Sequence, residues 1–177
     1  MSEYFEREES GLLFRFPIDA LWDVEKSGLY GSIEQNNKIA EFMFCDVDMT
    51  AKANKIWIIE AKTTAPKNAQ EFVSEVSEKF INTASLFAAV RLGFHPRFPD
   101  VLPRLLRDCI CKSSDIRLAL VVTHPACPQE LLAPLKDALV NVLRSKLKIW
   151  GMKSTQIVVY NHALARQMNW LKPLANG

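Results

Sequence analysis

The chain has 177 residues, about one domain, and its 49% apolar and 24% charged residues suit a packed core and exclude a disordered chain. Its net charge of +2 excludes an overall polybasic nucleic-acid binder. Residues 1–60 hold 12 acids and 6 bases, however, and residues 61–177 hold 8 acids and 16 bases, an asymmetry that suggests a partner with phosphates. No run reaches the roughly 18 uncharged apolar residues of a membrane helix, so no membrane partner is expected. The acidic start Met1–Ser10 is unlike a leader, and four cysteines are unlike a secreted disulfide framework; both fit a cytoplasmic chain with reduced thiols.

In chain order, Ile18, Leu21, Trp22 and Glu25 fall on one helical stripe, which predicts a first helix over 17–27 behind Pro17. Residues 30–33 form a short strand candidate. The alternation from Ile39 to Met49 predicts a strand with Phe42, Phe44, Asp46 and Asp48 on one face and Met43, Cys45 and Val47 on the other. Residues 55–62, Lys-Ile-Trp-Ile-Ile-Glu-Ala-Lys, read as its hairpin partner. The period then changes. Asn68-Ala-Gln-Glu71 is a capping-box candidate, and Phe72, Val76, Phe80, Ala84 and Phe87 predict a long amphipathic helix ending near Gly93. A proline-rich connection over 94–103 and a short helix over 104–109 follow. Residues 116–123 predict a buried strand, 128–149 a helix, 156–160 another strand and about 162–171 a last helix. The sum is a single α/β domain over 1–177, a mixed sheet with helices on both faces and its core over about 17–160.

The chemistry concentrates between Cys45 and Lys62. Asp46 and Asp48 end one strand, and Glu60 and Lys62, two apart on the next, share a face. A hairpin closing at 51–54 sets one of these aspartates beside Glu60; centred near residue 53, it sets Asp46 there and Asp48 one step nearer the turn. Carboxylates converging on a sheet make a hard oxygen site for Mg²⁺, with Mn²⁺ as a substitute, and Lys62 adds positive charge for a phosphate or attacking water. Trp57 alternates away from that face and is expected to pack beneath the sheet.

This pattern resembles the PD-(D/E)XK nuclease superfamily, whose restriction-endonuclease-like core runs αβββαβαβ. The matches are Asp46 or Asp48, then Glu60-Ala61-Lys62 behind the apolar run Ile56–Ile59, and the order of elements from 17 to 160. No Gln-x-x-x-Tyr follows Lys62, which separates the chain from the subgroup that carries it. The resemblance implies a Mg²⁺-dependent nuclease acting on nucleic acid, DNA first. Asp46, Asp48, Glu60 and the Ala61 carbonyl would hold the metal, and Lys62 would assist the attacking water. Glu25 is the candidate for the acid that the family often carries on its first helix. The other reading is a catalytically silent member kept for nucleic-acid or protein binding.

Arg144, Lys146, Lys148 and Lys153, in a stretch without acids, are candidates for phosphate contact. Cutting both strands of a duplex would call for a homodimer. Cys109-x-Cys111 with His124-x-x-Cys127 offers four zinc ligands on paper, but the single-residue spacing and the strand between the pairs favour ordinary thiols. There is no phosphate loop, dinucleotide fingerprint or Ser-His-Asp pattern.

Overall fold

Two strands with a two-residue turn open the chain: β1 (Tyr4–Glu9) and β2 (Leu12–Pro17) pair antiparallel with Glu9 opposite Leu12. Ser10 and Gly11 both take positive φ, the conformation that lets such a tight turn match the strand twist. Alternation buries Leu12, Phe14 and Phe16 of β2, whereas β1 has no fully buried residue. The computed structural model describes residues 3–33, 37–48, 53–63, 68–109, 114–123, 127–168 and 170–172, with only the backbone of 48, 53, 114 and 115.

The elements that follow are β3 (Leu21–Asp23), α1 (Gly28–Ser32), β4 (Phe42–Asp48), β5 (Ala53–Lys62), α2 (Ala69–Arg91) and α3 (Arg104–Asp108). Then come β6 (Ser114–Val122), α4 (Leu132–Trp150), β7 (Ile157–Asn161) and α5 (His162–Ala165). Strands β3 to β7 form one mixed sheet in that order. β3, β4 and β5 are antiparallel neighbours; β5, β6 and β7 are parallel.

Both faces of this sheet are covered, so its strands are apolar on both sides. Met43, Cys45, Ile56, Ile58, Leu118, Leu120 and Ile157 meet α2 and α4. Phe42, Phe44, Trp57, Ile59 and Ala119 meet β2 and Trp170 on the other side. The stacked rings of Phe14 and Trp170, 5.7 Å between centroids, close that second layer. Asn68 caps α2 by accepting from the Gln70 and Glu71 amides, and left-handed Gly151 ends α4.

Three expected features are corrected. The helix over 17–27 is a turn and the strand β3, because Leu21 and Trp22, adjacent in sequence, are buried in opposite layers, which only a strand allows. Residues 28–32 are helical rather than extended, with the Ser27 hydroxyl accepting from the Tyr30 amide at 3.2 Å. The second face carries the β1–β2 hairpin and short α5 in place of a long helix.

Candidate functional site

Strand β4 is entered through Ile39-Ala40-Glu41, a carboxylate inside an apolar run. The Ala40 amide donates to the buried Thr83 hydroxyl of α2 at 2.8 Å, and the Val24 amide donates to the Glu41 carbonyl at 3.1 Å. The register of β4 on β5 sets Phe42 against Ile59 and Phe44 against Trp57; one step further sets Glu41 against Glu60. Both lie on the α2 side of the sheet, Glu41 6% and Glu60 0% exposed. Lys62, two residues on, shares that face.

Helix α2 presents Glu75 and Lys79, one turn apart, to these strand ends. Lys79 Nζ lies 2.7 Å from Glu60 Oε1 and 3.7 Å from Glu41 Oε1. Lys62 Nζ lies 3.3 Å from the same Glu60 oxygen and 2.7 Å from Glu75 Oε1. From the other side, Arg7 of β1 brings its guanidinium within 2.8 Å of Glu9, 2.7 Å of Asp23, 2.8 Å of Glu25 and 3.2 Å of Glu41. Glu9, Glu25 and Glu41 each offer an oxygen within 4.8 Å of the others.

So many acids in little water disturb their proton affinities. Burial first, then the charges of Glu60, Glu25 and Glu9, push the Glu41 carboxyl up to about 8. Burial also raises Glu60, against the pull of Lys79 and Lys62. In Glu25 burial is outweighed by hydrogen bonds to Arg7 and Glu41, which hold it below the ordinary carboxylate range. In Glu75 the hydrogen bond from Lys62 does the same.

The residues singled out from sequence divide accordingly. Glu60, Lys62 and Glu25 come together; Glu25 does so from the turn after β3 rather than from a helix. The expected pairing of Asp46 with Glu60 is corrected: Asp46 stands opposite Lys55, on the other face and about 17 Å along the strand at about 3.3 Å per residue. The Asp48 backbone pairs still nearer the turn, with Ala53. The Ala61 side chain is buried in the layer against β2. Arg144, Lys148 and Lys153 are exposed and Lys146 half-buried. Because α4 runs back between parallel β6 and β7, these four lie toward the opposite end of the sheet from Lys62. Cys109 and Cys127 are buried, whereas Cys111 and His124 lie outside the described residues.

Sequence reasoning missed Glu41, Glu75, Lys79, Arg7 and Glu9. Two signals were available: a lone acid within Ile39–Cys45, and an acid and a base four apart beside the apolar stripe of α2. The donor set is all oxygen, and Glu60 Oε2 is buried without a hydrogen-bond partner. An oxygen-only cluster with unmet negative charge fits a hard divalent cation such as Mg²⁺. Comparison of the chain with protein-family models, curated proteins and solved structures gives no significant match.

Proposed function

We propose that the chain is a metal-dependent nuclease of restriction-endonuclease-like fold that hydrolyses phosphodiester bonds, with DNA as substrate. The observation that carries this reading is the convergence of Glu41, Glu60 and Lys62 at the ends of paired strands, two buried carboxylates and a lysine on one face. The order from β3 to β7, three antiparallel strands followed by two helix-linked parallel ones, supports the fold assignment, with β1–β2 as an addition.

Glu41 and Glu60, with Glu25 and Glu9 beside them, would hold Mg²⁺ or Mn²⁺. The bound ion would acidify a water and offset charge building on the phosphate. Glu41 would release its proton on loading, since only the carboxylate is a ligand. Lys79 keeps the Glu60 carboxylate oriented toward Glu41. Lys62, partly exposed and tethered by Glu75, is the cation that substrate phosphate or the attacking water would meet.

The test is cleavage of single-stranded, duplex and branched DNA with Mg²⁺ or Mn²⁺. Glu60→Gln and Lys62→Ala should each abolish cleavage without unfolding the chain. Wild-type cleavage in excess chelator, or undiminished cleavage by both variants, would refute the assignment. A catalytically silent binding protein is the second reading. It is favoured by the chain's own cations, with Arg7 on four carboxylates and Lys62 on Glu75. That reading calls for nucleic-acid or protein binding that ignores both substitutions and Mn²⁺.

A further inference from the structure

Arg7 has no role in the chemistry above, yet its guanidinium meets four carboxylates. Its side chain is 13% exposed and meets Glu9, Asp23, Glu25 and Glu41, three of which share the oxygens that approach one another within 4.8 Å. A guanidinium satisfies carboxylates through N–H bonds at about 2.8 Å, and a divalent ion binds the same lone pairs at closer range. The two positive groups repel each other and claim the same oxygens.

The hairpin that supplies Arg7 is unevenly anchored. β2 buries Leu12, Phe14 and Phe16, whereas β1 alternates between exposed and half-buried residues and, among the described residues, pairs only with β2. β1 can therefore shift or fray while β2 stays in the core. The cluster also has negative charge left over with Arg7 in place. Glu9, Asp23, Glu25, Glu41, Glu60 and Glu75 face Arg7, Lys62 and Lys79, with Lys26 acting on Asp23 and Lys38 on Glu75 from the edge, which is six acids against five cations, and the buried Glu60 Oε2 has no hydrogen-bond partner.

We propose that Arg7 is a built-in counter-cation that competes with a divalent ion for Glu9, Glu25 and Glu41, so that metal loading requires β1 to release its guanidinium. The proposal rests on the metal-site reading above and adds a coupling between the amino-terminal hairpin and the state of the site. Its loss would leave that reading standing.

The experiment is calorimetric Mn²⁺ titration of the full chain as wild type, Arg7→Met and Glu41→Gln. Arg7→Met should bind Mn²⁺ at least tenfold more tightly than wild type, and Glu41→Gln should bind none. Should Arg7→Met fold poorly, hydrogen exchange on the wild type gives the same answer: saturating Mn²⁺ should speed exchange of the Arg7 and Glu9 amides, which face β2, and leave unchanged the Arg15 amide of β2, which donates to the Trp170 carbonyl. Binding by wild type that depends on Glu41, but is equal or weaker in Arg7→Met, overturns the competition and keeps the metal site. Unchanged or increased β1 protection on loading does the same. No binding by wild type or Arg7→Met overturns both.

Discussion

Replacing Glu41 by Gln should remove much of the pH dependence of stability between pH 5 and 9. The Glu41 carboxyl is raised from its ordinary 4.5 to about 8, chiefly by burial and then by Glu60, Glu25 and Glu9. A raised value means the folded state holds the proton more tightly than the unfolded chain. The contribution to stability is complete below about pH 4.5 and is lost as pH climbs through about 8. At about 1.4 kcal/mol per pH unit the full effect is about 5 kcal/mol. Glu41 titrates together with Glu60 and Glu25, so the protons are shared among them and the expected fall is about 2–5 kcal/mol. The lowered Glu25 and Glu75 act oppositely, their contribution present above about pH 4.5 and lost below it, whereas the raised Glu60 and Asp23 add to the loss in the same direction as Glu41. Gln keeps the shape and removes the ionisation. Urea unfolding at pH 5, 7 and 9, without divalent ions, should show wild type losing stability across the series and Glu41→Gln losing clearly less, the remainder coming from Glu60 and Asp23. Parallel curves for the two proteins would refute the assignment of the strain to Glu41.

Lys79→Met should cost about 3 kcal/mol in denaturant unfolding at pH 7, because fully buried Glu60 loses its nearest cation, and Glu60→Gln in the same chain should recover most of it. Asp46→Asn should leave Mn²⁺ affinity by calorimetry unchanged, since Asp46 is on the far face of the sheet from Glu60; loss of binding would place the ion near the hairpin turn instead.

How legible the site was depended on one number, the hairpin register. The strands themselves were readable from β-branched and aromatic residues, and Glu60 and Lys62 from their shared face. The partner of Glu60 was not readable, because the connection over 49–52 carries no turn signal strong enough to set the pairing. Centring it at 53 sets Asp46 against Glu60, whereas the observed pairs centre it between 50 and 51. That is an odd slip, and a slip by one residue moves every side chain to the opposite face. Asp46 therefore goes to the Trp57 side, and Glu41 takes its place. With both faces of β4 apolar, hydrophobic alternation could not reveal the error. Leu21 and Trp22 misled for the same reason, since adjacent residues buried in two separate layers imitate a helical stripe. Arg7 and Glu9 were out of reach, because nothing local ties a hairpin 30 residues upstream to the start of β4.

The two functional readings differ in how the cluster's missing positive charge is supplied. Six carboxylates face Arg7, Lys62 and Lys79, with Lys26 and Lys38 acting from the edge, and the chain meets the remaining deficit by raising the proton affinity of Glu41. A proton on Glu41 and a divalent ion are alternative answers to one deficit. If the site is a metal centre, Mn²⁺ affinity must rise over the same interval, up to about pH 8, in which the metal-free chain loses stability. If the cluster is only structural, the loss of stability remains and no ion recovers it. The opposed trends share Glu41 as their most strongly raised group, so Glu41→Gln should abolish the metal trend and weaken the stability trend together, a coincidence that a purely structural ion-pair network has no reason to produce.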